Sequence, residues 1–167
     1  MGDFYWITNV LFRREKLTLD KFMNEALKEA KKAYLRKEVP IGAVIVKDGK
    51  IIARAHNLRE SKNISLAHAE IICIKKACKK LNSWRLDGAQ MYITLEPCPM
   101  CIGAIIQSRI SKIYIGTKDE KNGCVGSIAN ILELNTTHKV KYEYLDNCEE
   151  CSKIISDFFK ELRKSKK

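Results

Sequence analysis

Two short segments carry residues whose types and spacing can do chemistry: His68-Ala69-Glu70 and Pro97-Cys98-Pro99-Met100-Cys101. Cysteines three apart lie on one side of a helical turn, so Cys98 and Cys101 can grip a single ion, and Pro99 suits the first helical position, where its missing N–H is no loss. A helix N-terminus there also favours their thiolate forms. With neutral His68, two thiolates balance the charge of Zn2+ and leave the fourth tetrahedral position for water. One zinc per subunit is expected, in an open site; a closed structural site would need another ligand. Glu70 stands two residues from His68, a spacing that does not put both on one lateral helix face, so they must converge around the helix end. Converged, Glu70 can take a proton from a metal-activated water and return it to a leaving group, serving as both base and acid.

These residues have to be held by regular elements. From Leu19 to Lys37, Phe22, Met23, Ala26, Leu27, Ala30, Ala33 and Tyr34 recur at helical spacing, with Thr18 as the cap. Pro40 and Gly42 end that helix, and strands at Ala43 to Val46 and Ile51 to Ala55 follow, joined through Asp48-Gly49 as a tight hairpin. Ser65 is the expected cap of a second helix carrying Ile71, Ile72, Ala77, Cys78 and Leu81 inward. Met91 to Thr94 reads as a strand, a third helix starts near Cys98, and Lys112 to Gly116 is a further strand. A loop with Gly123 and Gly126, a helical run around Ile128 to Leu134, a strand at Val140 to Tyr144 and a basic helix from Cys148 to Lys164 complete the chain. Helices alternating with strands after an initial hairpin predict an α/β fold, a three-layer α/β/α sandwich around a mixed sheet of about five strands.

The composition, 46% hydrophobic and 31% charged over 167 residues, is that of one globular domain, residues 1–167, with no long linker. A net charge of +11 favours polyanionic partners through phosphate neutralisation, and equally describes a well-solvated surface. Seven cysteines in a chain with no secretion signal argue against a disulfide framework or a disulfide-linked partner, and for reduced or metal-bound thiols in the cytoplasm. The apolar stretch Phe4 to Phe12 is too short to span a bilayer and lacks a preceding basic region, so no membrane association is expected. Lys164 to Lys167 reads as a fraying basic tail. Cys148 and Cys151 repeat the Cys-x-x-Cys spacing without a nearby histidine, and helical spacing accounts for them better than a second zinc. His56 and His138 have no ligand-like partners and are read as structural or exposed.

His-x-Glu followed by Pro-Cys-x-x-Cys is the signature of zinc nucleobase deaminases. Around it, Val39-Pro40-Ile41-Gly42-Ala43, Asn57, Ala67-His68-Ala69-Glu70, Thr94-Leu95-Glu96-Pro97-Cys98-Pro99-Met100-Cys101, Gly126-Ser127 and Ser156-Asp157-Phe158-Phe159 together resemble the bacterial tRNA-specific adenosine deaminase family, from about Asp20 onward. The resemblance implies a cytidine deaminase-like fold and conversion of adenosine to inosine at the wobble position of an arginine tRNA. It also implies zinc ligands His68, Cys98 and Cys101, Glu70 as proton shuttle, Asn57 orienting the flipped adenosine, and Asp119 near the substrate backbone, where a ribose hydroxyl is a fitting partner. Phe158, Phe159, Lys160 and Arg163 match the family's C-terminal pattern and suit an unstacked anticodon stem-loop, although aromatic residues in a helix are usually core. A homodimer is a further implication of kinship. Residues 1–16 look like an extension of open role.

Two other readings share these residues. The same zinc constellation occurs in deaminases of free bases, nucleosides or nucleotides of the cytosine, cytidine or guanine type. A non-catalytic, zinc-stabilised RNA-binding module would explain charge and ligands, but not Glu70 beside His68.

Overall fold

Helix α1, residues 21–35, turns Phe22, Met23, Ala26, Leu27, Ala30 and Ala33 into the interior, as its 3.6-residue periodicity demands. The computed structural model describes residues 21–146 and 148–165; the readings made for Thr18, Leu19, the stretch Phe4 to Phe12, the extension 1–16 and the end of the basic tail lie outside them. Strands β1 (Gly42–Lys47) and β2 (Lys50–His56) form the expected antiparallel hairpin. Its two turn residues, Asp48 (φ 50°) and Gly49 (φ 70°), are both left-handed, the geometry of a type I′ turn, whose twist matches that of the strands. After β2 come a single helical turn, α2 (Arg59–Lys62), and helix α3 (Ala69–Leu81). Strand β3 (Gln90–Ile93), helix α4 (Pro99–Gln107) and strand β4 (Lys112–Ile115) make a parallel crossover. A 3-10 turn at Ile131–Glu133, strand β5 (Lys141–Tyr144) and helix α5 (Glu149–Lys164) follow.

The sheet order is β2-β1-β3-β4-β5, antiparallel across the first three strands and parallel across the last three. Alternation along each strand sorts the core into two layers. Ala43, Ile45, Met91, Ile93, Ile113 and Ile115 belong to the cluster that includes Ala69, Cys73 and Ala77 of α3 and Ile102, Ile105 and Ile106 of α4. Val44, Val46, Tyr92 and Tyr114 share the other cluster with α1 and Cys151 of α5. The fold is thus the expected α/β/α arrangement with a mixed five-stranded sheet.

Three local expectations change. Ser65 does not cap α3: turns closed by Ala67 N to Ile64 O (3.0 Å) and His68 N to Leu66 O (2.8 Å) keep the chain out of helical geometry until Ala69, and His68 itself is the N-cap residue, with extended backbone. Ile71 of that helix is only partly buried and lies outside the core cluster, whereas Cys73 and Ala77 are fully buried. The helical run around Ile128 to Leu134 shrinks to the 3-10 turn, started by the Asn130 side chain accepting from Leu132 N at 3.2 Å. Cys148 and Cys151 come together at the start of α5, with Cα atoms 5.5 Å apart, and Cys151 is buried against α1. His56 and His138 are structural, pairing with Glu29 at 2.8 Å and the Ile110 carbonyl at 2.7 Å. No helix among the described residues is long and apolar enough to cross a membrane.

Candidate active site

Two helix N-termini meet at the edge of the core. His68 is the N-cap of α3 and Cys98 the N-cap of α4, both with extended backbone, and Pro99 opens α4 at the position where it costs no hydrogen bond. His68 Nδ1 lies 3.8 Å from Cys98 Sγ and 3.6 Å from Cys101 Sγ. Nitrogen and sulfur held tetrahedrally on one zinc, at bond lengths of about 2.0 and 2.3 Å, stand about 3.6 Å apart. The donor atoms of all three residues fall within 4.8 Å of one another. The group therefore fits a metal ion. Its electrostatics point the same way. A hydrogen bond from Cys101, together with His68, brings the Cys98 thiol down to about 4, and the bond to Cys98 raises His68. The proton is left on Cys101, which its bond to Cys98 and its burial push upward. A cation at this point replaces that proton and takes both sulfurs as thiolates.

Glu70, in the first turn of α3, is buried; loss of solvent is the main cause that lifts its carboxyl to about 7. Its Oε2 is a buried acceptor with no hydrogen-bond partner among the described residues. An N-cap residue in extended conformation and the second residue of the helix both face the mouth of α3, so His68 and Glu70 line the same cavity of about 750 Å3. This is the convergence that sequence spacing alone left conditional.

Asn57, Asp119, Phe159 and Arg163 also line that cavity; Phe158 and Lys160 do not. One residue along a helix is a rotation of about 100°, so positions 159 and 163 share the cavity-facing side of α5 while 158 and 160 turn away. Phe158 is buried against Tyr34, edge to face at 5.8 Å, and the exposed Lys160 lies 4.0 Å from Asp157. Three further cations, Arg59, Lys118 and Lys121, join Arg163 around the cavity.

Two buried carboxylates were absent from the expected site. Glu96 accepts from Val125 N (2.8 Å) and Ser127 N (3.1 Å) on one oxygen, and from Asp119 N (3.0 Å) and the Ser127 hydroxyl on the other. It ties the loop that carries Asp119 to the segment leading into Cys98. Gly123 of that loop is required by close approach, since a Cβ there would overlap the Glu96 carboxylate. Glu38, wholly buried between α1 and β1, accepts from Ser61 N and Oγ (2.6 Å each), Glu60 N (3.1 Å) and Asn57 Nδ2 (3.4 Å). An acid next to Leu95 and Pro97, or beside Val39 and Pro40, is a weak sign of burial; neither carries a mark of the distant loop it holds.

The MafB19-like deaminase family matches residues 18–163. A tRNA-specific adenosine deaminase of Bacillus subtilis is 54% identical over 149 residues, 87% of this chain and 91% of the relative. The chain belongs to the tRNA-specific adenosine deaminase family. A solved tRNA:A34 deaminase, from work on A-to-I editing at the wobble position of transfer RNA, shares its fold with a TM-score of 0.78 at 43% identity, over 81% of this deaminase and 99% of that one. A guanine deaminase of Bacillus subtilis is more distant: TM-score 0.58 and 30% identity, over 82% of this chain and 91% of the other. The sandwich is thus shared across deaminases of different substrates, and the deaminase described here stands nearer in sequence to those named for tRNA.

Proposed function

We propose that the chain hydrolyses adenosine to inosine at the wobble position of a tRNA, an arginine tRNA foremost, with zinc held by His68, Cys98 and Cys101. The observation that carries the reading is Glu70: a buried carboxyl with one unpartnered oxygen, in the cavity that His68 and Cys98 also line. When bound, zinc supplies a Lewis acid that makes water nucleophilic at neutral pH. Glu70 takes one proton from the water as its oxygen bonds to C6 and passes it to the ring nitrogen; it then moves the second proton, from the new C6 hydroxyl, to the amino group, so that the C6–N bond breaks, ammonia leaves and the C6 carbonyl forms. Burial, which raises the carboxyl, leaves it able both to take and to give a proton.

The other lining residues suit a nucleotide extruded from an RNA loop. Asn57 orients the base, Asp119 accepts from a ribose hydroxyl, and the half-exposed Phe159 offers a ring face for stacking beside Arg163. Arg59, Lys118 and Lys121, interspersed with the acids Glu60, Asp119 and Glu120 on the same wall, are cations that the phosphates of a polymer can meet and a neutral free base does not need. The cytoplasmic homodimer implied by the family resemblance belongs to the same proposal.

Inosine formation in an arginine-tRNA anticodon stem-loop, compared with free adenosine, cytidine and guanine, tests the reading. Product in the RNA alone, abolished by a chelator, is expected. Turnover of a free base or nucleoside instead would keep the metal site and remove tRNA as the substrate. Glu70→Gln is expected to retain metal and to lose about 10²- to 10⁴-fold in turnover; full activity would take Glu70 out of the mechanism.

A further inference from the structure

Glu38 lies outside the cavity, separated in sequence from α3 by three elements and from α4 by five, yet it is a buried acid that accepts four hydrogen bonds. Its backbone is set by the end of α1: Lys37 takes φ 59°, Lys37 N donates to Tyr34 O at 2.9 Å and Glu38 N to Ala33 O at 3.0 Å. This helix-terminating geometry drives the side chain inward, to zero exposure. There it meets the 57–61 segment. Leu58, the N-cap residue of α2, provides no side-chain cap, and the Glu38 carboxylate supplies the missing acceptors for Glu60 N and Ser61 N. The same carboxylate takes the side-chain nitrogen of Asn57 at 3.4 Å. Burial raises the Glu38 carboxyl, but the bonds from Ser61 and Glu60 outweigh it and hold the group below its ordinary value, hence ionised at neutral pH.

An ionised carboxylate only accepts, and the carboxamide of asparagine presents a donor on one arm and an acceptor on the other. Facing Glu38, Asn57 has one orientation open to it, with Nδ2 toward the carboxylate and Oδ1 turned away. Asn57 lines the cavity and is itself buried, so its amide polarity is imposed from behind. A base-reading amide free to flip by 180° would offer either polarity and discriminate poorly between bases whose edges interchange donors and acceptors. We propose that Glu38 is a positioning residue for base selection, locking the Asn57 amide in a single hydrogen-bonding orientation while it fixes the α2 turn that brings Arg59 and Glu60 to the cavity wall. The proposal rests on the deaminase reading above, with Asn57 as a contact to the base.

A double-mutant cycle of Glu38→Gln and Asn57→Ala tests it, with kcat/KM measured on stem-loops carrying adenosine or cytidine at the target position. Glutamine keeps the size of Glu38 but can turn either its oxygen or its nitrogen to Asn57, which frees the flip. Glu38→Gln alone should lower kcat/KM for adenosine about tenfold, the equivalent of about 1.4 kcal/mol, and narrow the preference for adenosine over cytidine. In the Asn57→Ala background it should no longer change the preference for adenosine over cytidine, leaving only a smaller loss, equal for both bases, from the loosened α2 turn. Losses that simply add, with an unchanged base preference, would overturn the proposal and reduce Glu38 to a structural acid. The second readout needs neither activity nor a variant that folds: hydrogen exchange of the Asn57 side-chain amide in the wild-type protein, expected to be slower than in free asparagine. Exchange as fast as free asparagine would overturn the contact. Wild-type protein inactive on RNA would sink the functional reading instead, and the exchange rate would still decide the contact between Glu38 and Asn57.

Discussion

Replacing Glu96 by glutamine changes one atom in the group that holds the Asp119 loop against the segment leading into Cys98, and its cost follows from the hydrogen bonds. The carboxylate receives Val125 N and Ser127 N on one oxygen, and Asp119 N and the Ser127 hydroxyl on the other. However a glutamine amide is turned, its NH2 faces one of these donor pairs. The less costly choice keeps the carbonyl on Val125 and Ser127 N, and lets the Ser127 hydroxyl rotate to accept from the new NH2. Asp119 N–H is then left without an acceptor, worth about 1–3 kcal/mol where water is excluded, and the retained bonds lose their charge assistance at about 1 kcal/mol. The expected loss is about 2–4 kcal/mol. With a urea dependence of about 2 kcal/mol per molar, the unfolding midpoint should drop by about 1–2 M at unchanged slope. The KM for an RNA stem-loop should rise as the loop carrying Asp119 loosens, while the metal content of the folded protein stays the same. An unchanged midpoint with an unchanged KM would refute the view that Glu96 organises this wall.

Gly42→Ala places a Cβ against the Ala26 carbonyl oxygen and the Ala30 nitrogen of α1, so α1 must lift from β1; thermal unfolding should show a loss of about 1–3 kcal/mol or more, and a variant as stable as wild type would mean that the α1–β1 contact yields freely. Because Glu38 is held below its ordinary value of 4.5, its contribution is present in full above that pH and is lost as pH falls through the folded-state value. The stability gap between wild type and Glu38→Gln, followed by urea melts across pH 3 to 7, should therefore close toward the acid end; a gap independent of pH would contradict an ionised Glu38. Removing metal should lower the melting temperature as well as abolish turnover, since three donors at 3.6 to 3.8 Å from nitrogen to sulfur are left facing one another. A cobalt-loaded protein should show sulfur-to-metal charge-transfer absorption that Cys101→Ser weakens; no such band would argue against thiolate ligation.

Much of this protein was legible in its sequence because the relevant signals are local. The 3.6-residue period of α1, the two left-handed turn residues Asp48 and Gly49, and the Cys-x-x-Cys spacing opened by Pro99 each constrain their own few residues, and all three recur in the structure. The grouping of His68, Cys98 and Cys101 belongs to the same class, since a metal site restricts which donor atoms can take part. What only the tertiary structure decided depends on which distant segments meet. Whether Glu70 joins His68 turned on the backbone at the helix start, where three residues of turn displaced the expected cap from Ser65 to His68. Whether Phe158 or Phe159 faces the cavity turned on the rotation of α5 against Tyr34. Glu38 and Glu96 look like ordinary acids in a chain with 20 of them, and their roles appear only when loops 22 to 31 residues away bring N–H groups to them. Periodicity and motif spacing report on a residue's own element; the partner of a buried charge is set by packing, which couples residues without regard to their separation along the chain.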